Sequence, residues 1–256
     1  MAKHSKIEWC DHTWNPWVGC RKVSQGCRHC YAERDMTRFG KAFTTVTRTA
    51  DTTFRSPLKW KEPAFVFTCS WSDFFIEAAD DWRPEAWEII RQTPHLTYLI
   101  LTKRPHNIWH RLPSDWGKGW PNVWLGVSIE TQEYTYRADE LLRFPAANHF
   151  VSAEPLLGPL DIQGYLIHDN GAPGDRIDWV ITGGESGSGF RESKVTWFRK
   201  LRDQCKVEGV PFFFKQVGGT SKIDGAWGGN LLDGRLHQGR PEAVDVVERT
   251  NPTLFD

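Results

Sequence analysis

Three cysteines lie close together near the start of the chain and are the residues best suited to chemistry. Cys20, Cys27 and Cys30 have the spacing C-x6-C-x2-C within GCRKVSQGCRHCYAERD, residues 19–35, here called the cysteine loop. Closely spaced thiolates bind zinc or iron–sulfur clusters, but a structural zinc site normally uses four ligands and a disulfide uses two cysteines. Three cysteines therefore raise the question of what completes the site.

Two alternatives take a fourth ligand from the chain itself. Zinc could use the cysteine loop with one of Cys10, His12 or His29, although the sequence has no second CxxC to pair with the first. An iron–sulfur cluster held by four thiolates could use Cys10 or Cys69.

The third alternative leaves the fourth position open. A [4Fe–4S] cluster held by three thiolates keeps one iron without a protein ligand, and an open metal position is typical of catalytic sites. That iron can chelate the amino and carboxylate groups of S-adenosylmethionine. An electron from the cluster then breaks a C–S bond to give a 5′-deoxyadenosyl radical, so that the cofactors carry the difficult step.

Composition and charge restrict the class of protein. The chain has 256 residues, 39% of them apolar, and 32 basic residues balance 32 acidic ones, so no global field attracts it to nucleic acid or membrane. MAKHSKIEW lacks the apolar segment of a signal peptide, and no run approaches the roughly 18 apolar residues of a membrane span. Cys10, Cys69 and Cys205 are scattered, which argues against a disulfide framework. We therefore expect a cytoplasmic protein without membrane contact.

Short apolar runs alternate with stretches of helical periodicity. Runs that are dense in β-branched and aromatic residues, without polar alternation, predict strands covered on both faces. The predicted strands are WNPWVG (14–19), FVFTC (65–69), TYLILT (97–102), NVWLGV (122–127), HFVSAE (149–154), IDWVIT (177–182) and PFFFKQ (211–216). Helices are predicted over 83–92, over 131–144 with Thr131 as N-cap, and over 193–209 from a Ser193 cap to Gly209.

This alternation predicts an α/β fold. Strands separated by helices form βαβ units with a parallel sheet, and six or seven such strands predict a partial TIM-type (β/α)6-7 barrel. Uneven spacing predicts insertions at 40–60 and 160–176. Residues 1–217 are predicted to form the barrel with the cysteine loop, and residues 218–256 a loop-rich tail packed on it.

Polar residues follow the apolar runs, where a parallel barrel carries its functional groups. These segments are SWSD (70–73), TKR (102–104), SIE (128–130), SAE (152–154), TGGES (182–186) and KQ (215–216). Lys103, Glu130, Glu154 and Lys215 directly border apolar runs, so they either form internal ion pairs or face a ligand. The turn TGGESGSGF (182–190) is not a phosphate-binding motif; it predicts a close backbone approach to a ligand, with Glu185 as an acceptor.

The cysteine loop resembles the radical SAM superfamily, most members of which have the spacing C-x3-C-x2-C instead of C-x6-C-x2-C. WNPWVGCRKVSQGCRHCYA is more closely similar to a poorly characterised, often phage-encoded family related to the spore photoproduct lyases. Residues 183–187, 191–205 and 211–219 resemble that family as well, and the similarity extends to about residue 240.

The resemblance implies a radical SAM-like barrel and a lyase- or isomerase-type enzyme with two cofactors. Cys20, Cys27 and Cys30 would hold a [4Fe–4S] cluster. The resemblance also implies that S-adenosylmethionine contacts Ser72, Asp73, Lys103 and Ser128 at the strand ends. Glu154, at a further strand end, is predicted to bind the same cofactor, and Tyr31 or His29, beside Cys30, is predicted to pack on its adenine.

Two residues are predicted to act in catalysis. Cys69 ends a strand on the same edge, and the resemblance implies that such a thiol returns a hydrogen atom to a substrate radical; Lys215 is the second candidate. Cys205 lies on the apolar stripe of a predicted helix, which favours a buried structural thiol. A flavodoxin- or ferredoxin-type electron donor and a possible partner protein are also implied.

The resemblance implies a nucleic-acid base as substrate, either a thymine lesion to be repaired or a hypermodified thymine in phage DNA. The basic and aromatic composition of TKRPHNIWHR (102–111) is compatible with this, whereas TWFRKLRDQCK (196–206) is more typical of an amphipathic helix. Trp14, Trp17 and Trp71 are candidates for an aromatic mouth that receives a flipped base. The alternatives are a radical enzyme for a small molecule or protein, and a non-catalytic zinc or iron–sulfur protein that binds nucleic acid.

Overall fold

Seven parallel strands form the central sheet of the computed structural model, which describes residues 5–167 and 175–243. The strands in chain order are β1 (His12–Trp14), β2 (Trp17–Val18), β3 (Thr47–Arg48), β4 (Ala64–Thr68), β5 (Leu96–Thr102), β6 (Val123–Ser128), β7 (Asn148–Ala153), β8 (Trp179–Gly183), β9 (Phe212–Gln216), β10 (Lys222–Ile223) and β11 (Ala226–Trp227). The sheet has the order β1-β4-β5-β6-β7-β8-β9 and curls into a half-barrel, which confirms the predicted α/β class and parallel sheet. Two antiparallel ribbons, β2–β3 and β10–β11, lie outside it.

The helices are α1 (Tyr31–Arg38), α2 (Asp51–Phe54), α3 (Arg83–Gln92), α4 (Tyr136–Leu141), α5 (Gln163–Leu166) and α6 (Val195–Val207). Short 3-10 turns lie at Gln25–Cys27, Ser56–Lys59, Glu77–Ala79, Pro105–Asn107 and Gln132–Tyr134. Within the described residues, none of these helices combines the length and the hydropathy needed to cross a bilayer.

Both faces of the sheet are buried, as the continuous apolar runs predict. Because successive side chains alternate between faces, Phe67, Leu99 and Trp124 point to the concave side while Val66, Ile100 and Leu125 pack under the helices. Trp9 closes the concave side: its ring lies 4.5 Å from that of Phe67 and 6.2 Å from that of Trp179. The interior is therefore filled largely by aromatic rings.

The first predicted strand is placed wrongly. The sheet strand β1 ends at Trp14, and Trp17 instead pairs with Arg48 in the antiparallel ribbon. Pro16 has no N–H to contribute to a ladder, so the chain leaves the sheet between the two tryptophans. Trp14 and Trp17 are both fully buried, and their indole N–H groups donate to the carbonyls of Phe54 and Asp73.

Two of the three predicted helices differ in detail, whereas α3 spans 83–92 as predicted. The segment 131–144 divides into a 3-10 turn and the short helix α4. Helix α6 begins after Lys194, and Ser193 is not its cap, because the hydroxyl of Ser193 donates to the carbonyl of Leu156 at 2.6 Å. Gly209 follows the end of α6 with φ +67°, as a C-terminal glycine should.

The described part of the tail packs on the sheet edge formed by β9. The N–H of Phe214 donates to the carbonyl of His237 at 2.8 Å, and the N–H of Gly239 donates to the carbonyl of Phe212 at 3.0 Å. These bonds cover backbone groups that an edge strand would otherwise expose. The predicted insertion at 160–176 and the predicted tail to residue 256 lie partly outside the described residues.

The dense interior predicts a specific sensitivity at Gly126 in β6. A Cβ at this position would overlap the buried ring of Phe150 on the neighbouring strand. We expect Gly126→Ala to lower the free energy of unfolding by about 1–3 kcal/mol, as overpacking does. Urea unfolding followed by tryptophan fluorescence measures this change.

Gly164 in α5 provides the matched control, because a Cβ there has no atom within 4 Å. Gly164→Ala should leave stability unchanged or raise it slightly, since alanine favours a helix. Equal losses from both substitutions would contradict the packing described here.

Candidate functional site

A cavity of about 400 Å³ lies at the carboxyl ends of the sheet strands, within the size range of small-molecule sites. Its wall combines the cysteine loop, several strand ends and part of the β10–β11 ribbon. All of the predicted cluster-binding, S-adenosylmethionine-binding and catalytic residues line it: Cys20, Cys27, Cys30, Tyr31, Cys69, Ser72, Asp73, Lys103, Ser128, Glu154 and Lys215. Polar residues that follow different strands therefore do meet at one edge of the sheet, as the sequence predicts.

The backbone of the cysteine loop at Gly19 and Cys20 is held by residues 43–45 and by Ser72, which follows β4. Gly19 has φ +93° and lies so close to the carbonyl of Thr45 that a Cβ would collide with it. The N–H of Cys20 donates to the carbonyl of Phe43 at 2.8 Å, and the hydroxyl of Ser72 donates to the carbonyl of Gly19 at 2.6 Å. Ser72 is thus a support of the loop.

The three thiols share the cavity wall without forming a compact site for one ion. Among the described residues, no three histidine, cysteine or acidic side chains converge tightly enough to hold a single metal. His12, one of the proposed zinc ligands, instead packs on the ring of Trp60 at 4.7 Å. A four-iron cube separates its thiolates more widely than one ion does, because each thiolate binds a different iron.

The environment of the thiols suits a positively charged ligand. Burial raises the pKa of Cys20 to about 12; the charge of Asp73 adds to this increase and Arg104 opposes it. Burial also raises the pKa of Cys30. Buried thiolates need a cation to offset the lost hydration, and a bound metal supplies one while it displaces the protons. Three cysteine side chains in one cavity wall are a donor set that a thiolate-bound metal group, either zinc or an iron–sulfur cluster, could use.

Glu130 connects the cysteine loop to two strand ends. Its fully buried carboxylate accepts from Lys103 Nζ, from Arg137 Nη1 at 3.0 Å and from Ser24 Oγ at 2.8 Å. Burial alone would raise the pKa of Glu130, but Lys103 and Arg137 outweigh it and lower the pKa. Gly26 lies directly against this carboxylate, so that a side chain at that position would displace it.

Asp73 forms a second buried hub. Its Oδ1 accepts from Thr102 Oγ1 at 2.8 Å, and its Oδ2 accepts from the N–H of Lys103 at 3.0 Å and from Arg104 Nη1 at 3.2 Å. Arg104 also donates to the carbonyl of Arg21 at 2.6 Å and approaches Cys20 Sγ at 3.7 Å. Asp73 therefore holds the guanidinium of Arg104 next to Cys20. A ligand that binds Asp73 would add to the several donors that the carboxylate already accepts from.

Two further carboxylates are paired at the same edge. Glu154 Oε1 lies 3.0 Å from Lys215 Nζ, so these two predicted site residues contact each other. Glu185 accepts from Arg191 and lies 3.0 Å from His29 Nδ1. Its pKa is lowered, because these partners outweigh the raising effect of burial. The pairing alternative raised by the sequence is therefore observed, although all of these carboxylates except Glu130 also line the cavity.

Cys69 and Tyr31 lie at the cavity in different surroundings. Cys69 is buried, has φ +62°, and its N–H donates to the carbonyl of Trp14 at 2.8 Å. Burial and the nearby Asp73 raise its pKa well above the ordinary value, so the thiol stays protonated. Tyr31 has an exposed ring, and its hydroxyl donates to the carbonyl of Ser70 at 2.7 Å. Cys205 is buried in the core as predicted.

The aromatic mouth was only partly predicted. Trp71 lines the cavity, whereas Trp14 and Trp17 belong to the core and lie outside its wall. The structure also identifies Arg104 and Arg137 as buried partners of the strand-end carboxylates, which the sequence analysis missed. The only signal for Arg104 was its position next to Lys103 in TKR.

The fold and the cavity together define an α/β protein with a parallel half-barrel whose ligand cavity carries three cysteines of one loop. Residues 4–241 match the family described as Protein of unknown function (DUF5131), and the chain belongs to that family. No curated protein and no solved structure matches the chain.

Glu130 should be a positioning residue for the cysteine loop. Glu130→Gln removes the charge that balances two cations, and breaking a buried ion pair costs about 3–5 kcal/mol. We expect that loss in the free energy of unfolding, and urea unfolding measures it.

Glu154→Gln is the matched control. The side chains of Glu154 and its partner Lys215 are 15% and 27% exposed, whereas that of Glu130 is fully buried. This substitution should cost about 1 kcal/mol or less and should leave the cysteine loop in place. A Glu130 variant as stable as the Glu154 variant would contradict the role of Glu130.

Proposed function

We propose that this protein is a radical SAM enzyme that holds a [4Fe–4S] cluster through Cys20, Cys27 and Cys30. One observation supports this most strongly: the three cysteines come from one loop and lie together in the wall of a cavity at the carboxyl edge of a parallel half-barrel. Catalytic sites on parallel barrels occupy that edge. The resemblance of the cysteine loop to the superfamily points the same way.

The bound cofactors would supply reductive cleavage of S-adenosylmethionine to a 5′-deoxyadenosyl radical. The residues of this chain would bind and orient S-adenosylmethionine and would exclude water from the cavity. Lys103, held by Glu130, can approach a carboxylate of the ligand, and Asp73 can accept from its ammonium or ribose group. Ser128 is a buried hydroxyl in the cavity wall, and Tyr31 offers an exposed ring for the adenine.

Cys69 and Lys215 are the proposed groups on the substrate side. A thiol donates a hydrogen atom only in its protonated form, and the raised pKa of Cys69 maintains that form. Its left-handed backbone conformation is costly for a residue other than glycine, and such strain often accompanies a functional position. Lys215 and Glu154 form a paired donor and acceptor for polar groups of a substrate.

The substrate in this proposal is a nucleic-acid base, either a damaged thymine or a hypermodified thymine of phage DNA. A base must leave its stack to reach a cavity of this kind, and aromatic rings at the mouth stabilise it when it does. Trp71 provides such a ring. A flavodoxin- or ferredoxin-type protein would provide the electron.

Anaerobic reconstitution tests the cofactor assignment. The protein should turn brown, bind about four iron atoms and produce 5′-deoxyadenosine from S-adenosylmethionine once it is reduced. Alanine at any one of Cys20, Cys27 or Cys30 should abolish the product. A colourless protein that holds one zinc ion and yields no 5′-deoxyadenosine would refute the proposal.

Cys69→Ala separates the three-thiolate cluster from a cluster with four cysteine ligands. If Cys69 is a hydrogen-atom donor, the variant should retain its iron and its optical spectrum, and it should still cleave S-adenosylmethionine. Turnover of the true substrate should fall at least tenfold. Cys205→Ala, in the core away from the cavity, is the control for loss of a buried thiol. Loss of iron only in the Cys69 variant would make Cys69 a fourth ligand.

The substrate class is tested with the reduced, reconstituted protein and phage DNAs that differ in their modified bases. Nucleoside mass spectrometry should reveal a thymine-derived nucleoside that changes only when S-adenosylmethionine is present. Turnover of a small molecule or a protein, with every DNA unchanged, would favour the corresponding alternative.

A further inference from the structure

The segment that carries the three cysteines and α1 has a concentration of cations that the neutral overall charge conceals. Residues 20–41 contain six basic side chains against the two carboxylates Glu33 and Asp35. Lys22 pairs with Glu33 at 2.6 Å, and Arg34 lies 3.6 Å from Asp35. Within the described residues, the four remaining cations form no ion pair and are exposed: Arg21, Arg28, Arg38 and Lys41.

The two basic segments 102–111 and 196–206 provide few such cations: within the described residues, Lys206 is the one lysine or arginine of these segments that forms no ion pair. Lys103, Arg104 and Arg111 in 102–111 are all engaged by carboxylates of the described chain. In helix α6, Arg199 and Arg202 bind Asp233, and Lys200 binds Asp161. Of the four unpaired cations of residues 20–41, Arg21 lies in the cavity wall, where Lys6 and Lys222 also lie, and the other three belong to the cysteine loop and to α1 and the residues after it.

Aromatic rings accompany these cations. Phe39, directly after α1, is 65% exposed, and its ring lies 6.4 Å from that of Trp71 at an interplanar angle of 26°. Trp71 and Tyr31 line the cavity. The exposed ring of Phe39 therefore contacts Trp71, which lines the cavity. Arg38 and Lys41 flank Phe39 in the sequence.

We propose that this rim, formed by residues 20–41 and Trp71, binds a single strand of nucleic acid next to the cavity. Exposed cations attract phosphates, and near-parallel aromatic rings offer a face on which a base stacks, the combination used by proteins that bind single strands. A strand on the rim can extend one base into the cavity. The inference rests on the proposed function only for what happens to that base, because binding itself requires neither cluster nor S-adenosylmethionine.

Fluorescence anisotropy with a labelled single-stranded oligodeoxynucleotide tests the rim on the full chain, between about 50 and 200 mM salt. The double variant Arg38→Gln/Lys41→Gln should bind more weakly and reduce the slope of log affinity against log salt by about 1.4, because each phosphate contact in a single strand contributes about 0.7. Phe39→Ala should weaken binding about tenfold while it leaves the salt slope unchanged.

The matched control is Lys61→Gln/Lys118→Gln, which removes two exposed charges at the opposite edge of the sheet. Lys61 precedes β4 and Lys118 precedes β6, so both lie near the amino ends of the strands. This variant should bind the oligonucleotide with unchanged affinity and slope. Unfolding measurements on all three variants verify that the fold is intact.

Three outcomes would overturn the rim proposal: no binding of the oligonucleotide, equal losses in the rim and control variants, or binding to an acidic flavodoxin-type protein that depends on the rim while oligonucleotide binding does not. The last result would identify the rim as a docking surface for the electron donor. Each can occur whether or not the loaded protein cleaves S-adenosylmethionine, so failure of the rim and failure of the proposed function are separate results.

Discussion

The arrangement of the site depends on a carboxylate that is buried where charge is costly. Glu130 is fully buried, and it is tolerated because Lys103, Arg137 and Ser24 supply donors from different parts of the chain. An unpaired carboxylate at this position would cost several kcal/mol. Any movement that separated the three donors from Glu130 would incur that cost, so their positions are fixed relative to it. Ser24 belongs to the cysteine loop and Lys103 follows β5. One buried charge thus fixes the position of the loop relative to the sheet.

The other strand ends follow the same rule, and the topology explains why. In a parallel sheet every strand ends at the same edge, so residues distant in sequence meet there. Asp73 meets Arg104, Glu154 meets Lys215, and Glu185 meets Arg191. These pairs line the cavity with oriented polar groups instead of mobile ones. A site preorganised in this way loses less entropy when a polar ligand binds.

Local pattern was sufficient to predict the strands and the edge that carries the site, but not the partners of individual charges. The apolar runs located β4 to β9 to within one or two residues, because parallel strands are buried on both faces. They failed at 14–19, where Trp14 and Trp17 are equally apolar and only Pro16 indicates that the chain leaves the sheet. Ion pairs such as Glu130–Arg137 depend on how the elements pack in three dimensions, and the charge pattern of the sequence does not specify that packing. For the same reason the composition of the basic segments 102–111 and 196–206 does not reveal that most of their cations are paired with carboxylates distant in the sequence.

The electrostatic requirements of the thiols and of the cavity mouth are linked. Burial makes the thiolates of Cys20 and Cys30 unfavourable, as their raised pKa values indicate, and three thiolates in one wall would repel each other. Positive charge nearby offsets part of this cost, and Arg104 already approaches Cys20 at 3.7 Å. The exposed cations of the cysteine loop and α1 act in the same direction from the outer side. In the proposed enzyme, a segment that binds a cluster through thiolates would be enriched in basic residues for a local reason, and in the proposed rim the same charges would attract phosphate. The neutral total of the chain is compatible with both effects, because the Debye length of about 8–10 Å at physiological salt confines them to their own surface.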